Sequence, residues 1–242
     1  HTDIYEIHNN DELNEFNNSI SNKKAALVFP NNKYQLTATL NIGIEGFVLF
    51  FIGMAGLQAP QNKVDAINIT RKNVIIAGGL YESNKDGPIT NIINVNGIGC
   101  QLFDIFIRTT IKGILQLTST NNKDNSDIIG AMLQINADDC YIDNTWLWRA
   151  DHINKDTNNG LQWNNVKSNI GLHVTTNGTK CQVNGLFTEH HQKNLVLWEG
   201  ANGIVNFLQG EIPYDISTKD ANTYIPIKIT GSNFIGSGMG VY

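Results

Sequence analysis

Residues 132–142 read Met-Leu-Gln-Ile-Asn-Ala-Asp-Asp-Cys-Tyr-Ile, and residues 171–183 read Gly-Leu-His-Val-Thr-Thr-Asn-Gly-Thr-Lys-Cys-Gln-Val. Each is a short alternating strand, a polar turn, and a second apolar run that opens at a cysteine. The same order recurs as Ala-Ile-Asn-Ile-Thr-Arg-Lys-Asn-Val-Ile-Ile (66–76) and Ile-Ile-Asn-Val-Asn-Gly-Ile-Gly-Cys-Gln-Leu (92–102). It returns more loosely as Leu-Val-Leu-Trp-Glu-Gly-Ala-Asn-Gly-Ile-Val-Asn-Phe (195–207), and again as Ile-Pro-Ile-Lys-Ile-Thr-Gly-Ser-Asn-Phe-Ile (225–235). One such unit cannot bury its own apolar side, so successive units must stack. The expected fold class is therefore all-β, a parallel β-helix whose coils lie roughly 4.8 Å apart. The competing fold is a β-sandwich, whose hairpins favour two-residue Asn-Gly turns. The Asn-Gly pairs at 96–97, 177–178 and 202–203 fall in the turn inside a repeat, which suits a coil corner. Those at 159–160 and 184–185 do not, and they leave the sandwich open.

Composition agrees with a β chain. Of 242 residues, 41% are hydrophobic, enough for a core, and only 16% are charged. Helix formers are scarce after the first twenty residues. Asp11-Glu12-Leu13-Asn14-Glu15-Phe16-Asn17 reads as a short N-terminal helix with an acidic first turn, placed to cap one end. The segments 25–29 and 33–40 read as strands joined by Pro30-Asn31-Asn32. Residues 1–242 are read as one β-helix domain belonging to a longer chain. The net charge is −5 with no basic cluster, which argues against a nucleic-acid surface. The longest apolar run, 46–57, is broken by glycine and too short to span a bilayer. The chain opens at His1 without a signal-peptide pattern, as a processed product would.

Cys100, Cys140 and Cys181 occupy one place in three successive units. Stacked, buried thiols explain that better than a metal site or a disulfide, and no metal and no cofactor are expected. Sequons stand at Asn17, Asn68 and Asn177. Two polar stretches, 111–129 and 153–169, read as inserts leaving the coil, and Trp163 lies in the second.

Aligning the units turns the repeat into a candidate site. Trp148 lies eight residues after Cys140, and Glu189 eight after Cys181. If Gly203 is the next equivalent position, Glu211 follows at the same distance. Trp148, Glu189 and Glu211 then form a ladder across three coils. Adjacent carboxylates repel, and the pair is expected to raise one pKa. Glu189 and Glu211 are the candidate catalytic acid and base or nucleophile. An unbroken strand would bury Glu189, so a corner near Gly185 must reset the alternation. Trp146, Trp148, Arg149, Asp151, His152, His190, Tyr214 and Asp215 gather at the same edge as candidate substrate-binding residues. The bland reading makes Arg149 an ion-pair partner that pins a corner and the histidines backbone caps. A second surface, the stripe Asn68, Asn94, Gln134 and His173, reads as a solvated ladder in preference to a binding groove.

Three segments carry a resemblance: Trp146-Leu147-Trp148-Arg149-Ala150-Asp151-His152, Gly185-Leu186-Phe187-Thr188-Glu189-His190-His191-Gln192-Lys193, and Gln209-Gly210-Glu211-Ile212-Pro213-Tyr214-Asp215. Together they resemble a family of large secreted pectate-lyase-like proteins, the glucan-hydrolase branch of that fold, whose members often carry discoidin-type modules. His191 stands where that pattern has an aromatic residue. The resemblance implies a single-stranded right-handed parallel β-helix, an extracellular setting and a polysaccharide or glycan partner. The expected function is a glycoside hydrolase of glucan-like polymers. A lyase fits less well, because no acidic cluster for Ca²⁺ is present. The alternative is a non-catalytic coat, matrix or fibre component, or a glycan-binding scaffold, self-associating through its coil ends.

Overall fold

The computed structural model describes residues 3–19, 25–60, 64–83, 90–109, 129–150, 168–214, 216 and 218–242. Among these residues every strand pairing is parallel. The smaller sheet stacks Leu40–Ile42, Ile67–Ile69, Asn91–Val95, Ile129–Ile135, Ser168–Val174, Asn194–Trp198 and Ile227–Ile229 in chain order. Its register runs Ile67, Ile93, Leu133, Leu172, Val196, Ile227. The stretches that resemble one another in sequence thus lie on successive rungs. This is the pairing of a parallel β-helix, and it removes the sandwich, whose strands would be antiparallel.

The larger sheet has two faces. In the N-terminal half each coil contributes two short strands, such as Ile75–Ala77 and Leu80–Glu82, or Gln101–Phe103 and Phe106–Thr109. From Tyr141–Arg149 onward one long strand covers both faces, as do Gln182–Glu189, Ile204–Glu211 and Ile235–Val241. The bend between the faces is a column of left-handed residues. Gly78 (φ 77°), Asp104 (54°), Asn144 (49°), Gly185 (65°), Phe207 (65°) and Gly238 (63°) fall at one position of the register. Glycine, Asn and Asp adopt this conformation at least cost. The expected corner at Gly185 is therefore real. Val183 points inward before it and Leu186 and Thr188 after it, so Phe187 and Glu189 are released to the outside.

Leu49, Ile76, Leu102, Ile142, Val183 and Val205 fill the core from the first face, and Leu57, Tyr81, Ile107, Leu147 and Thr188 from the second. All are buried, and each alternates with an outward neighbour as the strand period requires. Cys100, Cys140 and Cys181 are free, buried thiols preceding three successive rungs of the first face. Burial pushes the Cys100 thiol up. Near the N-terminus, helix Asn10–Ser19 buries Leu13 and Phe16, and Phe16 meets Phe47 at 6.1 Å. Its first turn is held reciprocally: Glu12 N–H donates to Asn9 Oδ1 (3.0 Å), and His8 N–H donates to Glu12 Oε2 (2.8 Å).

The stripe Asn68, Asn94, Gln134, His173 is in register as expected. Its amides are engaged with one another and with neighbouring turns. Asn68 donates to Asn41 (3.2 Å), Asn96 to Asn68 (2.8 Å), and Asn136 to Asn94 (2.8 Å). His173 meets Glu199 at 2.8 Å. The stripe is a ladder that ties the coils together. Strand Lys33–Gln35 is shorter than the expected 33–40. Of the expected inserts 111–129 and 153–169, residues 111–128 and 153–167, with Trp163, lie outside the described residues, and the last residues of each belong to strands Ile129–Ile135 and Ser168–Val174.

Candidate active site

The second face of the larger sheet presents two outward rows. One runs Gly56, Leu80, Phe106, Trp146, Phe187, Gln209, and the other Gln35, Gln58, Glu82, Arg108, Trp148, Glu189, Glu211. The ladder expected from the cysteine spacing, Trp148–Glu189–Glu211, is the last part of the second row, and Gly203 is the correct anchor. Inward packing fixes the aim of these side chains. Leu147 and Thr188 are fully buried between the outward pairs, so Trp146 and Trp148, and Phe187 and Glu189, must face out.

Glu189 and Glu211 stand on adjacent rungs, and carboxylate oxygens of the two lie within 4.8 Å of one another and of a ring nitrogen of His190. Glu189 is 9% exposed. Both oxygens of Glu211 are engaged. Tyr214 Oη donates to Oε2 (2.9 Å), Tyr242 Oη donates to Oε1 (2.9 Å), and His190 Nε2 lies 3.1 Å from Oε2. Burial works to raise the Glu211 pKa, but these hydrogen bonds overcome it and hold the carboxyl below the usual range. The like-charge neighbour was expected to push a carboxylate up. Glu211 is shifted the other way, by its hydrogen bonds and the charge of His190.

The frame behind the pair is specific. His190 holds φ 66°, a costly conformation for a non-glycine residue. That turn directs its carbonyl to Arg149 Nη1 (2.8 Å), while its N–H donates to Glu211 O (2.9 Å). Its ring rests 4.3 Å from that of Tyr214. The next residue, His191, is buried between Ser168 Oγ (2.9 Å) and Leu147 O (3.2 Å), and its own carbonyl accepts from Tyr224 Oη (2.7 Å).

Beside the pair lies an aromatic platform. Phe106 and Trp146 stack at 4.4 Å and 8°, and Trp146 and Trp148 at 5.5 Å and 19°. A groove of about 480 Å³ opens along it, lined by Phe106, Trp146, Phe187 and Glu189 with Asp104 and Asn144. Flat apolar faces next to two carboxylates suit a pyranose ring, which offers both C–H faces and hydroxyls.

The sequence matches the LAM55 pectate lyase-like domain over residues 7–211. The chain belongs to that family. It is 29% identical to an exo-beta-1,3-glucanase of Streptomyces sp. (strain SirexAA-E / ActE), over 89% of this chain and 35% of the relative. The structure of sacteLam55A from Streptomyces sp. SirexAA-E superposes with a TM-score of 0.78 at 26% identity, covering 94% of this chain and 41% of that one. A variant of that enzyme in complex with glucose gives a TM-score of 0.74 at 24% identity, covering 97% and 41%. The chain thus spans between a third and a half of the length of these relatives.

Of the residues expected in the site, the structure brings Trp146, Trp148, Glu189, Glu211 and Tyr214 to one edge, with His190, expected to bind substrate, fully buried behind Glu211. Arg149 is a correction. It was expected to position sugar, yet it is fully buried and points inward, as alternation after Trp148 requires. It steadies the His190 carbonyl from behind. Asp151, His152 and Asp215 lie outside the described residues. The reading missed Tyr242, Phe106 and Phe187. The signal for Tyr242 was present, since Phe234 and Tyr242 are eight residues apart, the spacing that found the carboxylates. Among the described residues, Glu189, His190 and Glu211 are the group close enough to hold a metal ion.

Proposed function

We propose that this chain is the β-helical module of an extracellular glycoside hydrolase acting on β-1,3-glucan. In this reading the coil is right-handed, helix Asn10–Ser19 caps it, and the module is part of a longer secreted protein. The observation that carries the proposal is the Glu189–Glu211 pair at the end of an aromatic groove. Two carboxyl groups are what hydrolysis of a glycosidic bond requires. One gives its proton to the leaving oxygen, and the other activates water or attacks the anomeric carbon. No bound cofactor is needed for that balance. Trp146 and Trp148 offer stacking faces, and His190, Tyr214 and Tyr242 hold Glu211 in place. The groove also separates this function from a bare structural scaffold, which has no use for an exposed aromatic platform beside a carboxylate pair.

The test is hydrolysis of β-1,3-glucan by the full-length protein, with Glu189→Gln and Glu211→Gln measured alongside. Each substitution should lower kcat by about 10²–10⁴-fold. Release of sugar at the parental rate in both variants would remove the pair from catalysis. Glucan binding without hydrolysis by the parent would leave a lectin-like scaffold.

A further inference from the structure

The row that ends in Glu211 begins, six rungs away, at Gln35. Its early part has its own hollow, about 200 Å³, lined by Lys33, Gln35, Gly56, Gln58 and Glu82 with Tyr34. The hollow has a clear cause. In the neighbouring row every rung from Leu80 to Gln209 carries a sizeable side chain, but the next rung is Gly56. A Cβ there would reach only Lys33 Cγ and the Leu80 carbonyl, at 3.6 and 3.7 Å. The missing side chain is the space.

The walls are polar in a particular way. Gln58 is half-buried, and among the described residues nothing engages its side-chain amide. Gln35 Nε2 donates to Leu36 O and Ala59 O, at 3.3 and 3.2 Å, which leaves Oε1 as an acceptor. Glu82 is buried and its charge is met by Arg108, which donates from Nε at 2.7 Å, and by Lys33 at 3.2 Å. The hollow therefore offers both donors and acceptors with its buried carboxylate already neutralised. A hydroxyl both donates and accepts, so an uncharged polyhydroxyl ring fits this set better than an anion does. At roughly 4.8 Å per rung, Gln58 lies about 19 Å from Glu189 along the coil axis. That distance is several sugar rings, on the same face, with the Phe106–Trp146 platform between.

We infer that Gln58, Gln35 and the Gly56 hollow form a distal sugar subsite that holds a remote ring of the same glucan chain. This rests on the glucan reading of the Glu189–Glu211 site. It makes the protein selective for long chains, because only a long chain bridges both places.

The experiment compares kcat/KM for β-1,3-gluco-oligosaccharides of increasing length in the full-length parent, Gln58→Leu and Gly56→Leu, with Tm recorded for each. Gln58→Leu keeps the volume and removes the amide, and Gly56→Leu copies the next rung and fills the hollow. In the parent, kcat/KM should rise with length up to chains that reach the hollow. In both variants the ratio of long-chain to short-chain kcat/KM should fall about three- to tenfold, the loss expected for one or two neutral hydrogen bonds. An unaltered ratio would overturn the subsite while leaving the glucanase reading intact. If Gly56→Leu does not fold, Gln58→Leu decides alone. If the parent hydrolyses nothing, length-dependent binding to the same oligosaccharides is measured instead. Loss of that dependence in Gln58→Leu keeps the subsite as part of a binding protein, and no binding at any length overturns both readings.

Discussion

Two carboxylate clusters sit on one row of this molecule, three rungs apart. At one, Glu82 faces the Arg108 guanidinium and the Lys33 ammonium. At the other, Glu189 faces a second carboxylate, Glu211, surrounded by two phenols and an imidazole. Backbone position and face are alike. The difference lies in what each rung puts beside the acid. A full opposite charge fixes a carboxylate in one state and makes it structural. A carboxylate whose neighbour is a second carboxylate, held by hydrogen bonds and not by a lysine or arginine, is the arrangement that acid–base chemistry uses. The fold supplies the row, and single residues decide which rungs are chemical.

That contrast breaks if the two clusters respond alike to losing a charge. Glu189→Gln should cost about 10²–10⁴-fold in kcat and leave stability unchanged or raised, since it removes a like charge beside Glu211. Arg108→Met should do the reverse. It leaves Glu82, whose side chain is 6% exposed, without its main partner, and should cost about 3–5 kcal/mol of stability. Urea unfolding of both variants reads the two effects on one scale. Equal destabilisation would mean that both clusters are structural. Lys33→Ala separates the partners further. Its side chain is 75% exposed, so it should cost under about 1 kcal/mol.

Much of this site was legible because a stacked coil repeats its spacing. Val74 and Glu82, Cys100 and Arg108, Cys140 and Trp148, Cys181 and Glu189, Gly203 and Glu211, and Phe234 and Tyr242 are each eight residues apart. Once the buried end of each pair is known, the exposed end falls on the row. The same rule places Glu82 and Arg108 on the row, where no tryptophan marks them. It stops before Gln58, whose coil turns the corner differently, around Ile52–Ala55. Arg149 was misplaced for another reason. Its charge suggested solvent, whereas strand alternation put it inside, and a buried carbonyl at His190 makes that tolerable. Partners supplied by distant turns, such as Tyr224 on His191, leave no local pattern to read.

The donors on Glu211 sharpen the comparison through pH. A carboxyl held below its usual range contributes stability that is present above the unfolded value, about 4.3 for Glu, and lost as pH falls through the lower folded value. Removing a donor raises the folded value. Tyr242→Phe should therefore move the limb of the pH–rate profile governed by Glu211 to higher pH, and Tyr214→Phe should do the same. Acid should cost both variants less stability than it costs the parent, because their folded value lies nearer the unfolded one, and the difference between them and the parent should vanish below both values. At neutral pH both variants should be less stable than the parent, because the stability that the lowered Glu211 value supplies is fully present there and shrinks as that value rises. The corresponding change near Glu82 should leave the profile in place. A Gln58→Leu profile that shifted with those of the tyrosine variants would show that the two clusters are coupled along the row.

The smallest effect concerns the bend that creates the row. Gly185 has φ 65°, and a Cβ there would meet Asn144 at 3.7 Å, an ordinary contact. The cost of Gly185→Ala is therefore the left-handed backbone alone, roughly 1–2 kcal/mol, partly offset by a stiffer unfolded chain. Asn144 and Phe207 already hold this conformation on the rungs above and below, so the corner tolerates side chains and the net loss should be under about 1.5 kcal/mol. What matters is where Glu189 points afterwards. Three residues separate it from the bend, and two of them, Leu186 and Thr188, remain locked in the core. If packing sets the aim of Glu189, kcat should stay near the parental value while Tm falls slightly. A large loss of kcat with little loss of Tm would mean instead that the left-handed corner, and not the core beneath it, holds the carboxylates at their spacing.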